Sequence, residues 1–313
     1  MIINDWDSNF TAKYNHQFPD SYLCIDTEYT GNDKRTDLIV EIGHTMVQQG
    51  KVVDSKSLIL NWYGYPGITD TWLNYRLNLI RANVGSGWRL TPEVIRKEGI
   101  DPLRALKFYE ELFTAWQKNN LPFVAQNGQN ADERIISGNF DRFLNKPFSL
   151  PDNGYFDTGA IYKADKVWQT LHGDLANFRS VMMPVRGDTL KTYFNRVINT
   201  RINGVKWKLD LIMEEYDLIN KHKINKNDFH GAGFDSMCLH WIMEEFRKLV
   251  KPKKSPEMTA SNIFQAMYDE EMSKYKMQET AAKTKNGNNA SNVGVGNSAT
   301  RPSAPPKRRQ RLI

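Results

Sequence analysis

Apolar residues along this chain gather in short runs bounded by turn-forming residues. Residues 21–26 (Ser-Tyr-Leu-Cys-Ile-Asp) make one such run, and its length suits a buried strand. Residues 37–47 and 52–60 read as two more strands, with Gln49-Gly50-Lys51 as the hairpin turn between them. Residues 121–125 predict a fourth strand and residues 155–157 a fifth. Thr91-Pro92-Glu93 opens a helix, with Thr as cap and Pro at the first position. Further helices are predicted over 102–117, 131–144, 206–218 and 235–250. In the last of these Phe234, Met237, Cys238, Trp241, Ile242, Phe246, Leu249 and Val250 fall on one apolar stripe. Strands first, then strands mixed with helices, predict an α/β layer fold with a mixed sheet. Residues 159–205 fit either a helical elaboration or a basic-aromatic arm.

Composition adds boundaries to this picture. The chain has 313 residues, 40% of them apolar, enough for one sizeable core. Residues 1–251 form the body. Residues 252–313 read as a linker, an exposed helix over 257–283 and a disordered C-terminal tail ending in Lys307-Arg308-Arg309-Gln310-Arg311. The net charge of +6 resides in that tail: residues 252–313 hold 11 Lys/Arg and 5 Asp/Glu, which leaves the body neutral. The tail can touch a polyanion, whereas the body must rely on local features. Two cysteines, Cys24 and Cys238, each in an apolar run, read as buried thiols. The N-terminus lacks the pattern of a signal peptide, and no apolar run approaches a membrane span, so the expectation is a soluble, cytoplasmic protein with no membrane partner.

Three acidic segments carry candidate chemistry. Asp26 and Glu28 sit two apart at the end of the first strand, so their side chains share a face. Two such carboxylates repel, and a divalent metal between them relieves the repulsion; a solvated strand end is the plainer alternative. Asp235 lies on or beside the buried stripe of the last helix, five residues after His230 on a loop containing Gly231 and Gly233. Those glycines permit close approach to another group. Asp132 follows a strand and a polar turn, where helix capping alone accounts for an Asp.

Taken in order, these segments resemble the DEDDh (DnaQ-like) family of 3′–5′ exonucleases, over roughly residues 20–250. The family's Asp-x-Glu is matched by Asp26 and Glu28. Its Asn-turn-Asp is matched by Asn127 and Asp132, and its His-x-x-x-x-Asp by His230 and Asp235. Residues 38–43 resemble its second strand, and residues 208–212 the short helix before its third motif. The resemblance implies a ribonuclease H-like mixed sheet flanked by helices. It also implies two divalent ions, Mg²⁺ or Mn²⁺, held by Asp26, Glu28, Asp132 and Asp235, with His230 as general base. Thr27, Tyr29, Thr30 and Asn127 would contact the last nucleotide of a single-stranded or frayed 3′ end. The implied activity is proofreading- or repair-type hydrolysis of DNA, with a replication or repair protein as partner. Trimming of RNA 3′ ends, or an inactive nucleic-acid-binding module, are the alternatives.

Three departures from the family bear on substrate preference: Tyr29 in place of Thr, Gln126 in place of His, and the length of 159–205. In that stretch Arg179, Arg186 or Lys191 is expected to meet a substrate strand, with Trp168 or Phe178 stacking on a base.

Overall fold

The computed structural model describes residues 18–85, 87–169, 178, 180–183, 185, 187–225 and 228–248. The tail beyond residue 251 and the positions 179 and 186 lie outside the described residues, as does the side chain of residue 168.

Five strands form one sheet: β1 (Tyr22–Tyr29), β2 (Ile39–Gln48), β3 (Lys51–Ile59), β4 (Phe123–Ala125) and β5 (Tyr155–Asp157). Their order is β3-β2-β1-β4-β5. The first three are antiparallel neighbours, while β1, β4 and β5 run parallel. This is the ribonuclease H-like mixed sheet. The short parallel strands are buried throughout, as strands covered on both faces must be. β1 runs three residues beyond its apolar stretch because β2 keeps pairing with it: Asp26 lies opposite Gly43 and Glu28 opposite Glu41.

The described helices are α1 (Asp70–Val84), α2 (Pro92–Glu98), α3 (Pro102–Lys118), α4 (Asp132–Leu144), α5 (Thr158–Gln169), α6 (Leu190–Asn199), α7 (Leu209–Glu215), α8 (Leu218–Lys221) and α9 (Ala232–Arg247). Thr91 caps α2 and Asp101 caps α3, each accepting a backbone N–H on its side chain. The single helix expected over 206–218 is broken by Asp217, whose φ of 54° is left-handed, so α7 and α8 are separate turns. α1 has no counterpart in the sequence reading. Two helices occupy the described part of 159–205.

The sheet is covered on both faces, and neighbouring residues of β2 show how. The Thr45 hydroxyl lies 3.0 Å from Ser236 of α9, whereas His44 lies 3.2 Å from the Tyr109 hydroxyl of α3. Successive strand residues face opposite ways, so α9 covers one face and α3 the other. α4 packs beside α3. Leu23, Ile25, Ile42, Phe113, Phe123, Phe140 and Phe246 fill the two layers and are fully or almost fully buried. Cys24 and Cys238 are buried and free. No helix among the described residues is long and apolar enough to cross a membrane.

α9 meets the sheet at Gly43. A Cβ there would lie 2.3–2.5 Å from the backbone of Ala232 and Gly233, where no flexible side chain can yield. Gly43→Ala should therefore destabilise the fold by about 1–3 kcal/mol, the usual cost of overpacking. Thermal or urea unfolding checks this; an unchanged melting temperature would mean that α9 is free to retreat.

Candidate active site

β1 presents Asp26 and Glu28 on the face covered by α9. Thr27, between them, faces the other way, and its hydroxyl donates to Asp132 Oδ1 at 2.6 Å. Asp132 opens α4 and is 3% exposed. It thus reaches the group from the opposite face of the sheet.

Asp235 lies in the first turn of α9 and is 7% exposed. Its Oδ2 accepts the His230 backbone N–H at 3.2 Å, closing the loop between them. His230 has φ 68°, a left-handed conformation uncommon for a residue with a side chain. The glycines of that loop do allow close approach: a Cβ on Gly231 would meet the Arg89 guanidinium at 2.7 Å, and one on Gly233 would meet Ser57 Oγ at 3.0 Å.

A cavity of about 460 Å³ is lined by Asp26, Thr27, Glu28, Asn127, His230 and Asp235. One ligand atom each from Glu28, His230 and Asp235 lie within 4.8 Å of one another. Asp132 does not line the cavity, although its charge bears directly on Asp26. Tyr29 is half-buried and also outside the lining. Thr30 is 1% exposed and its hydroxyl is engaged internally, donating to Asp37 at 2.9 Å and accepting the Leu38 N–H at 2.9 Å. Asn127 sits at φ 54° and accepts from Asn130 at 2.9 Å. The expectation that Lys191 reaches a ligand fails. It is 8% exposed, and its ammonium donates to Glu133, Ser149 Oγ and the Leu150 carbonyl, so no donor is left to offer.

The structure adds residues that the sequence reading passed over. Glu41 is fully buried beside Glu28. One of its oxygens accepts from Ser57 at 2.6 Å and from Arg89, and the other accepts the Ala232 N–H at 3.1 Å. An acidic residue between Val40 and Ile42 was the available signal, since a buried charge needs a partner. Asp210 and Glu214 add two acids to the cavity wall. Gln126 donates to the Trp207 carbonyl at 2.6 Å, tying the end of β4 to the wall before α7.

Electrostatically the site is short of positive charge. Burial, then Asp132, Asp235, Glu28 and Glu41, push Asp26 well above the carboxylate range. Burial, then Asp235, Glu41 and Asp132, do the same to Glu28, with Arg89 opposing. Burial raises Asp132 to about 7 against the restraint of its bond from Thr27, and raises Asp235 to about 7 against its bond from the His230 N–H. Asp235 Oδ1 is buried with no hydrogen-bond partner among the described residues. An acid-rich oxygen set with one donor atom unsatisfied fits a hard divalent cation. Burial lowers the His230 imidazole, with Asp210 raising it and Lys208 lowering it.

These shifts fix a sign. Between the unfolded value near 3.9 and the folded value of about 7, the folded chain keeps protons on Asp132 and Asp235 that the unfolded chain has released. Their contribution therefore falls as pH rises through that window. Buried His240, lowered to about 4, works the opposite way up to its unfolded value near 6.5, so the comparison belongs within a variant pair. In chelator, the melting temperature of Asp235→Asn should gain on wild type from pH 5 to pH 8, by several degrees at the upper end. Added Mg²⁺ should reverse the order. A difference that is flat with pH would show that Asp235 bears no such strain.

No family model matches the chain, and no curated protein matches it. Solved structures do. Over 80% of this chain and 43% of the other, it is similar to Escherichia coli exonuclease I in complex with a dA16 oligonucleotide, at 14% identity and a TM-score of 0.46. It is similar to a zinc-bound form of the exonuclease I–ssDNA complex over 74% of this chain and 40% of that one, at 14% identity and a TM-score of 0.44. The chain spans less than half the length of these proteins, and at such a likeness no function passes from one to the other.

Proposed function

We propose that this chain is a metal-dependent 3′–5′ exonuclease of the DEDDh kind, removing nucleotides from single-stranded or frayed ends, with DNA as the substrate. The observation that carries the reading is the convergence of Glu28, His230 and Asp235 within 4.8 Å, with Asp26 in the same cavity. These are residues from two distant segments with the chemistry that phosphodiester hydrolysis needs. Two divalent ions, Mg²⁺ or Mn²⁺, held by Asp26, Glu28 and Asp235 with Asp132 in support, would supply Lewis-acid stabilisation of charge on the phosphate and the leaving oxygen.

The chain's own residues do the rest. The His230 ring nitrogen stands beside the carboxylates of Glu28 and Asp235, where it can take the proton of an attacking water. Its lowered pKa keeps the imidazole neutral, and so competent as a base, at neutral pH. The bond from the His230 N–H to Asp235 holds the ring's backbone in place, so base and acid move together. Thr27 and Asn127 line the cavity and in this reading would contact the terminal nucleotide, Thr27 through its backbone because its hydroxyl is given to Asp132. Thr30 instead braces the strand end, and Tyr29 stands outside the cavity wall.

Release of mononucleotides from a labelled 3′ end, with and without Mg²⁺ and on matched DNA and RNA oligomers, tests the reading. Asp26→Asn should abolish release while leaving a native-like melting curve. The rate in wild type should rise with pH through a value below the ordinary histidine range. His230→Ala should lose about 10²–10⁴-fold and that pH limb with it. A pH profile unchanged in His230→Ala removes it as the base, and cleavage that survives Asp26→Asn removes the metal site. Faster trimming of RNA would reassign the substrate.

A further inference from the structure

We infer that a second cavity, at the far end of α4, binds a nucleotide of the same single strand some positions upstream of its 3′ end. Its base would rest on Trp72 and its phosphate on Arg35. The inference rests on the reading of the chain as an enzyme of single-stranded ends.

The cavity measures about 470 Å³, as large as the active-site cavity. Three segments wall it: Arg35, Thr36 and Leu38 from the β1–β2 connection, the 66–69 turn with Trp72 from the start of α1, and Arg142 with Phe143 from the last turn of α4. No Asp or Glu lines it. Its character is the reverse of the active-site cavity, which five carboxylates line. Two guanidinium groups and two aromatic rings around one hollow suit a ligand that is both anionic and flat-faced, which describes a nucleotide.

The two arginines differ in kind. Arg142 is fixed: it donates to the Arg35 carbonyl at 2.6 Å and the Asp37 carbonyl at 3.1 Å, and lies 4.5 Å from the Phe143 ring centroid. Asp37, the carboxylate whose charge acts most on Arg142, is already claimed by Arg76 at 2.5 Å and by Thr30. Arg142 therefore contributes standing positive charge. Arg35 is 82% exposed, and its partner Asp33 lies 3.3 Å away in an exposed pair. A phosphate can replace so weak a partner. Trp72 is half-buried in the first turn of α1, which Thr69 caps. The flanking Arg76 stands 5.9 Å from the Trp72 ring.

The cavity is also bolted to the active site. Thr30, two residues beyond Glu28, takes the Leu38 N–H on its hydroxyl at 2.9 Å and the Arg76 Nε–H on its carbonyl at 2.8 Å. Along α4, Arg142 comes ten residues after Asp132, about 15 Å at the rise of a helix. An extended strand spans that in a few nucleotides. Base stacking on an aromatic ring is tolerant of sequence, as an enzyme that consumes any strand requires.

The test uses the full chain with Asp26→Asn, so that bound strands persist. Fluorescent thymidine dinucleotide and dodecamer are titrated in Mg²⁺ at fixed salt. The dodecamer should bind more tightly than the dinucleotide. Trp72→Ala should erase that gain by roughly 5- to 100-fold, the range for one lost stacking contact. Arg35→Gln, on an exposed loop where folding is not at stake, should reduce it and its salt dependence. Trp72→Phe should keep most of it, and Lys107→Gln, a charge removed from α3, all of it. The inference falls if the gain survives both Trp72→Ala and Arg35→Gln, or if polyglutamate competes as well as the dodecamer, which would mark a general anion site. A length-dependent gain lost in these variants, from a wild-type chain that releases no nucleotides, would keep the inference and remove the nuclease reading. Release of nucleotides with no gain from length would do the opposite.

Discussion

α9 begins without a side-chain cap of its own, because Gly231 stands at its N-terminus. Glu41 of β2 supplies the missing acceptor by taking the Ala232 N–H. A carboxylate at a helix N-terminus also meets the positive end of the helix dipole. The same carboxylate accepts from Ser57 of β3 and from Arg89 ahead of α2. One buried acid therefore joins two strands, a loop and a helix, and the helix it seats carries Asp235. Gly43, two residues along the same strand, has no Cβ to hold off the backbone of Ala232 and Gly233 at the start of α9. Without this joint the placement of Asp235 against Asp26 and Glu28 would rest on the apolar packing of α9 and its Thr45–Ser236 contact.

The joint brings acids together that water would keep apart. Asp26, Glu28 and Asp235 are raised first by burial and also by neighbouring acids, and Arg89 is the cation that eases Glu28 and Asp235. Such a grouping is costly in the folded state unless protons or cations compensate it. Asp132 shows how the fold limits the strain. It approaches from the opposite face of the sheet and is held by the Thr27 hydroxyl, so its charge acts on Asp26 without adding another carboxylate to the cavity wall.

How much of this the sequence disclosed depends on whether the signal was local. The strands were legible because short apolar runs between turns have few other meanings, and Thr91-Pro92 marked the start of α2 openly. α1 was not legible. Tyr75 and Leu79 are exposed on it and blur the apolar period, although Thr69-Asp70 offered a cap. Glu41 was hidden by its setting, since a charge within an apolar strand declares only that some partner exists. Lys191 misled in the other direction. Its charge suggested a surface arm, while its ammonium is satisfied inside by Glu133, Ser149 and Leu150, a pairing between segments far apart in sequence. Asp26, Glu28 and Asp235 stood out by their order and spacing along the chain, and they line one cavity, whereas Asp210 and Glu214 on its wall carried no such signal. That Asp132 would stand behind Thr27 depends on which face α4 packs against, which no local pattern states.

A neutral body with an acidic cavity faces a difficulty if its ligand is a polyanion. The cavity's own field repels phosphate, and cations held within it act only over short range in salt. Attraction must come from positive charge placed where it does not neutralise the carboxylates. The fold separates the two. Arg89 lies among the acids and is paired to Glu41, whereas Arg35 and Arg142 sit at the far end of α4, where no carboxylate lines the hollow. α4 thus spans the distance between a negative end, at Asp132, and a positive one, at Arg142. A strand lying along that axis would be drawn in at one end and have its charge met by bound cations at the other. The separation of charge along a single helix would give such a strand a direction as well as an affinity.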